Sequence, residues 1–559
     1  MKKLLLVCLT LALLGPPSYA QENSVLAVES YRLTNGLTVF LNQDSTANRV
    51  FGAVMVNAGA KHEDPSATGM AHYLEHLLFK GTEHFGTSDF EKEKPHLDSI
   101  NVLYERLAQA QADDERESIQ LLINEQALAA SAYGLPNEFD KMLKSIGGTG
   151  INAFTNMEMT FYHNSFPGHE INKWLDLYAA RFQNPIFRSF QSELEVVYEE
   201  KNRAMDNFQR KIGEEMQRQI FPNIPYGQWT VLGKIEHLKN PSLIRMYQFF
   251  EENYKAGNMA LILSGNFDPA FVKPIIEEKF NKLPAGTVEK LVLDQPTPFK
   301  GTEVAKKRMT PVKASFEGYH TVGNNHPDRL ALDVVEYLLF NGAETGYLNQ
   351  LMTSNQITYS GVIPMTFNDA GGLVVFYVPK IVGQSLGKAE RLVEAQLDKL
   401  REGEFSDEML AAAKNELAQS FSSNLENVTE RGIMIGRAFN QGKSWEDFIA
   451  YPQKLDLVRR EDVLRVAKQY LGKDRIRVIS RTGFAKGTKL EKPNYKPIVT
   501  EQKEQSDYYA EFEAIPALPF QPRFLDFEHD VAQIKMQGGH QLLVANNPIN
   551  DLFELEIKF

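Results

Sequence analysis

The residues best able to do chemistry in this chain are His72, Glu75 and His76, spaced His-x-x-Glu-His. The surrounding pattern predicts a helix from about Thr68 to Phe79, capped by Ser66 or Thr68 and stopped at Gly81. Side chains three and four positions apart share a helix face. His72 and His76 can therefore point two imidazoles at one metal ion, with Glu75 beside them. Imidazole nitrogen suits Zn²⁺, and a catalytic zinc takes three protein ligands plus water. Glu75 is then placed to take a proton from that water as general base.

A third ligand has to come from another element. The helical stretch Ser192–Glu200 carries Glu193, Glu195, Glu199 and Glu200. Glu193 and Glu200 are seven positions apart and share one face, so one could ligate while the other supports a ligand. Spacing alone does not choose among Glu193, Glu199 and Glu200. His84 follows Gly81 and reads as a loop histidine. Asn152-Ala153-Phe154-Thr155, after Gly147-Gly148-Thr149-Gly150, reads as a strand with small residues and a free edge. Such an edge can hold an extended peptide by strand addition, and Asn152 could hydrogen-bond near the metal.

These residues need a scaffold, and the hydrophobic pattern predicts an α+β one with a mixed or antiparallel sheet and helices on one face. Leu37–Leu41 and Val50–Val56 read as two strands around a polar turn. Residues 90–144 read as a helical hairpin inserted into the domain, with Leu97, Ile100, Tyr104, Leu107, Ile119, Leu122 and Ile123 on its apolar face and a solvated charged face. Strand signals follow at Asn152–Phe161. Helical patterns follow at Glu170–Phe182 and Phe190–Ile220, then a strand at Met259–Ser264 and a helix at Pro269–Phe280.

The pattern then repeats. His72–Gly81 can be laid on Asp333–Gly342: Leu-Leu-Phe-x-Gly and the glutamate match, while the histidines become Asp333 and Tyr337. The reading is one duplicated unit, with the chemistry kept in the first copy. The expected layout is a signal peptide at 1–20, a catalytic domain at 21–282 and a linker at 283–301. A second, inactive unit at 302–485 and a Pro-rich extended linker at 486–530 follow. The stretch 531–559 begins a third copy, and the expectation is a fragment of a chain nearer twice the length.

These motifs resemble the insulinase and pitrilysin family of inverted-motif zinc peptidases, which includes the mitochondrial processing peptidases. The likeness runs through Gly69–Thr82, Gly147–Tyr162, Glu193–Asn202, Asn223–Gly227 and Asn258–Gly265. It implies duplicated α/β units and a zinc endopeptidase or oligopeptidase with one Zn²⁺ per chain. In that likeness His72, His76 and Glu200 are the zinc ligands and Glu75 is the base. Glu193 is a supporting acid, and Asn152, with Ala153 and Phe154, lies on the substrate side. The gap from His76 to Glu200 is longer than usual in the family, and the helical hairpin accounts for the excess. The family's substrate-contacting arginine and tyrosine, seven apart, have Met352 and Tyr359 at the corresponding place here, so that role is not carried over. The implied partners are peptides and a C-terminal half or partner subunit that closes a chamber. The competing readings are a non-catalytic structural or binding member of the same fold and a processing enzyme dedicated to one peptide.

Composition limits the remaining classes. Across 559 residues the chain is 43% hydrophobic and 24% charged, the balance of a protein with a sizeable core. Its net charge of −12, without a long basic run, argues against nucleic acid as a partner. Lys2-Lys3, the apolar Leu4–Leu14 and Ser18-Tyr19-Ala20 read as an export signal, pointing to the periplasm or the outside. Cys8, inside that signal, is the only cysteine, which excludes a disulfide framework. No later apolar run is long enough to span a membrane.

Overall fold

The apolar runs at Val50–Val56 and Met259–Gly265 are buried at every position. Strands of that kind belong inside a sheet, not at its edge. The computed structural model describes residues 25–484, 489–493, 495–498, 504–519, 524, 526–536, 539–547, 549–550 and 552–558. The predicted export signal lies outside them. The strands β1 (Glu29–Arg32), β2 (Thr38–Gln43), β3 (Val50–Val56), β4 (Thr149–Thr155), β5 (Thr160–Phe166) and β6 (Met259–Gly265) form one mixed sheet. Its order is β1-β2-β6-β3-β5-β4. The two strands read around the polar turn, β2 and β3, are present but do not pair with each other. The wholly buried β6 lies between them, parallel to β2 and antiparallel to β3. The single strand expected over Asn152–Phe161 is a hairpin, β4 against β5, that leaves β4 on the sheet edge.

Helices α1 (Met70–Leu77), α2 (Phe90–Gln109), α3 (Asp113–Ser131), α4 (Glu138–Ser145), α5 (Ile171–Gln183), α6 (Phe190–Asp206), α7 (Phe208–Ile220) and α8 (Pro269–Phe280) belong to the same unit. The predicted hairpin is α2 and α3, which break at Ala110–Ala112. Its face differs from the expected one: Leu122 is exposed, and Leu103 and Ala127 are buried alongside the expected residues. The long 190–220 pattern divides at Asn207, whose side chain caps α7 through the Arg210 amide. Leu74, Tyr104, Trp174, Val197 and Ile276 share a core on one face of the sheet.

A second sheet of β7 (Thr302–Thr310), β8 (Ala314–Thr321), β9 (Tyr359–Thr366), β10 (Gly371–Val378) and β11 (Arg475–Phe484) has the order β7-β11-β8-β10-β9. Replacing β2, β6, β3, β5 and β4 by β7, β11, β8, β10 and β9 reproduces the first order. The first sheet has β1 as an additional antiparallel edge strand; apart from it, β2·β6 and β7·β11 are the parallel pairs and the others are antiparallel. The duplication read from one helix motif is therefore a duplication of topology.

Each sheet carries its own helices on one face, and each borrows a cover for the other. Helix α9 (Arg329–Leu339) is the second unit's counterpart of α1. Helix α10 (Val428–Asn440) crosses to the first sheet, where Met434, Ile435 and Ala438 pack on Phe51, Met55 and Ile262. In return α7 sets Ile212, Met216 and Ile220 on Phe316, Val374 and Ile476 of the second sheet. A Cβ on Gly318 would stand 2.7 Å from Ile220, so the close seat requires glycine. Polar anchors sit beside these seams. Lys61 Nζ is 2.5 Å from Glu158 and 2.7 Å from Asp369. Arg431, with no exposed side-chain surface, pairs with buried Asp44.

The stretch expected to be only an extended linker contains helix α11 (Asp507–Ala514). Tyr509 and Phe512 enter the first unit's core, and the Ser506 amide donates to Glu138 at 2.7 Å. The apolar spacing missed there is short, a single pair three apart. Beyond it, Ala532–Lys535 and Gln541–Val544 pair antiparallel as β1 and β2 do. Later in the stretch expected to begin a third copy, the described residues 552–558 form no strand.

Candidate metal centre

Helix α1 is short because both ends are fixed by backbone geometry. Gly69 precedes it at φ 93° and Gly81 follows at φ 107°, where a Cβ would lie 2.2 Å from the Phe85 carbonyl oxygen. The expected caps are elsewhere: the Ser66 hydroxyl donates to Asp64, and Thr68 is engaged with His237. The buried carboxyl of Glu63 takes their place, accepting from the amides of Gly69 and Ala71 at 2.8 Å each. Burial pushes that carboxyl up to about 8, against the lowering effect of these amides. Met70, Ala71, Tyr73, Leu74 and Leu77 face the core, which turns His72 and His76 toward a cavity of about 880 Å³.

Helix α6 brings the carboxylates. Glu200 Oε2 lies 3.3 Å from His72 Nε2 and 3.8 Å from His76 Nε2. Glu193 Oε2 lies 3.3 Å from the other ring nitrogen of His76, Nδ1, and Glu193 Oε1 lies 2.6 Å from Lys80 Nζ. Glu199 points away, 3.1 Å from Lys492. His84 is exposed, next to Glu83. Helix phase thus separates three acids that spacing left equivalent: 193 and 200 face the histidines, and 199 does not.

The donor set fits a zinc ion. One atom each from His72, His76 and Glu200 lies within 4.8 Å of the others. Tetrahedral bonds of about 2.0–2.2 Å put ligand atoms roughly 3.3–3.6 Å apart, close to the separations just given. Burial, and then His76 and Arg210, push the His72 imidazole down to about 3, so it is neutral and able to ligate. Burial also lowers His76, but Glu193, Glu200 and Glu75 more than offset it and raise the ring. Glu193 behaves in reverse: burial raises it, and His76 and Lys80 bring it below the usual carboxylate range.

Glu75 stands next to this cluster without joining it. Its carboxylate accepts from Thr155 Oγ1 at 2.6 Å, and burial raises it against the effects of Thr155 and His76. Asn152, Ala153 and Phe154 line the same cavity from edge strand β4. Phe154 also stacks on Phe161, with centroids 5.3 Å apart, so part of its role is packing. The helical insert packs behind α6, with Tyr104 edge-on to Phe190 at 4.8 Å. Only Asn137 and Asp140, next to and in α4, reach the cavity from that region. Thr155 and Lys80 were not singled out from the sequence. Lys80 is four positions after His76, a helical spacing signal, whereas Thr155, three after Asn152 on a strand, had none.

The second unit carries an ion cluster at the equivalent place. Arg329 Nη2 is 2.7 Å from Asp333 and 2.5 Å from Glu336, and Tyr451 donates to Asp333 at 3.0 Å. The positions that match His72 and Glu75 are thus neutralised by an arginine.

Two family models match the chain in sequence. The sequence model described as "Insulinase (Peptidase family M16)" matches residues 38–101 and 123–230, interrupted within the α2–α3 hairpin. That of "Peptidase M16 inactive domain" matches residues 242–417. A probable mitochondrial-processing peptidase subunit beta of Arabidopsis thaliana is 23% identical over 478 residues, 81% of this chain and 79% of that one. An uncharacterized zinc protease, YmxG, of Bacillus subtilis is 22% identical and covers 80% of this chain and 96% of its own length. The crystal structure of the periplasmic protease PqqL from Escherichia coli superposes with a TM-score of 0.62 at 14% identity, covering 94% of this chain and 56% of that one. With both family models matched in sequence and the duplicated fold shared, the chain belongs to the insulinase family of peptidases, peptidase family M16.

Proposed function

We propose that this chain is a zinc-dependent peptidase that hydrolyses peptides, with one Zn²⁺ held by His72, His76 and Glu200. The observation that carries the reading is the meeting of two imidazole nitrogens and a carboxylate oxygen within 4.8 Å, beside a free strand edge. Zinc in such a site supplies Lewis acidity, polarising a carbonyl and acidifying water. An extended substrate adds to the edge of β4 along Asn152–Phe154, which aligns its backbone past Glu75. Glu75 takes the proton of the attacking water and returns it to the departing amine. Thr155 holds that carboxylate in place, and Glu193 fixes the His76 ring.

The "inactive domain" match falls on residues 242–417, outside all of these side chains. Export to the periplasm is supported by the signal-like N-terminus and by the periplasmic PqqL likeness. Among the described residues no helix is long and apolar enough to cross a membrane. A second half or partner subunit closing the chamber is supported by the overlap with 56% of the PqqL chain.

The test is cleavage of a mixed peptide library by the complete polypeptide, with and without a zinc chelator. Cleavage that stops with chelator and returns with zinc supports the reading; cleavage indifferent to chelator contradicts it. A finer prediction concerns Glu193→Gln. It should lower zinc affinity by about 10–100-fold, measured by competition with a chelating dye. Unchanged affinity would remove Glu193 from the centre.

A further inference from the structure

The cavity at His72 does not end at the metal centre. Arg210 and Val231 line both it and a second cavity of about 520 Å³ at the junction of the two units, so the two adjoin. The carboxylates lining the second cavity already have cations: Glu158 is 2.5 Å from Lys61, and Glu214 is 3.0 Å from Arg210. In the first, Asp140 lies 3.5 Å from Lys144, and the remaining acids belong to the metal centre. Two arginines are left over. Arg203 lines the first cavity and Arg437 the second. Both are exposed, and neither side chain has a hydrogen bond or ion pair among the described residues.

Unpaired cations in a cleft are informative in a chain of net charge −12. At long range such a chain repels anions, whereas a cleft with low-dielectric walls concentrates the field of its own charges. A guanidinium with its donors free is suited to a carboxylate, which it binds with two parallel hydrogen bonds. We propose that Arg203 and Arg437 set the substrate preference, selecting peptides with acidic side chains along the stretch from the metal centre toward the second unit. The proposal rests on the peptidase reading above.

The test uses the complete zinc-loaded chain carrying Glu75→Gln, so that peptides bind without being cut. Fluorescent peptides of one sequence, differing only in Glu, Gln or Lys at the variable positions, are titrated by anisotropy. The Glu peptide should bind about 3–10-fold more tightly than the Gln peptide, with the difference shrinking as salt rises. Adding R203E and R437E should shift the preference to the Lys peptide. R203Q and R437Q should abolish discrimination, which covers the case in which reversal disturbs folding. Equal binding of Glu and Gln peptides, both of them cleaved by the chain with Glu75 intact, would overturn the preference and leave the peptidase reading standing. No binding and no cleavage of any peptide would overturn both.

Discussion

Replacing Glu75 by Gln in the zinc-loaded chain should lower peptide turnover by about 10²–10⁴-fold and leave bound zinc at one per chain. The separation of the two effects follows from the geometry. The donors that meet are His72, His76 and Glu200, and Glu75 is not among them. Its carboxylate is engaged with Thr155 at 2.6 Å, an interaction that the carboxamide oxygen of glutamine can keep. What glutamine cannot do is accept a proton from water. Steady-state cleavage together with metal analysis of the same sample checks the prediction. Undiminished turnover would remove Glu75 as the base, and loss of zinc along with activity would place it among the ligands.

The second large effect is on stability. Arg431 is fully buried on α10, where it pairs with Asp44 and donates to Asn42 at 2.8 Å and to the Leu425 carbonyl at 3.0 Å. It fastens a helix of the second unit to the first sheet. Burial alone would raise the Asp44 carboxyl, but Thr46 and Arg431 hold it below its usual range, so both partners are charged. Arg431→Met should cost about 3–5 kcal/mol, because it leaves a buried carboxylate without its cation. Adding Asp44→Asn should recover much of the loss, since the unpaired charge goes with it. Urea denaturation of the single and double variants measures both. A loss under about 1 kcal/mol for Arg431→Met would show that the seam does not depend on this pair.

The site was more legible in the sequence than the sheet that carries it. A helix repeats every 3.6 residues, so His72, Glu75 and His76 could be placed on one face from spacing alone, as could Glu193 and Glu200. The choice between Glu199 and Glu200 needed the phase of α6 against α1, which tertiary packing sets. Strand pairing was less visible. The Val50–Val56 run announced a buried strand, but no local signal said that β6, about two hundred residues later, would sit between it and β2. The exchange of α7 and α10 between units was hidden for the same reason. Amphipathic helices declare that they bury a face, not which sheet receives it. The cap was missed because Glu63 acts across the turn from six residues before Gly69, outside the usual capping spacing.

The measurement that tests the central claim most directly is anomalous X-ray scattering from crystals of the zinc-loaded chain, collected on either side of the zinc absorption edge. One anomalous peak should lie among His72 Nε2, His76 Nε2 and a Glu200 carboxylate oxygen, with Glu75 outside bonding distance. A peak elsewhere, or none at this cluster in crystals grown with zinc, would contradict the assignment of this site as the metal centre.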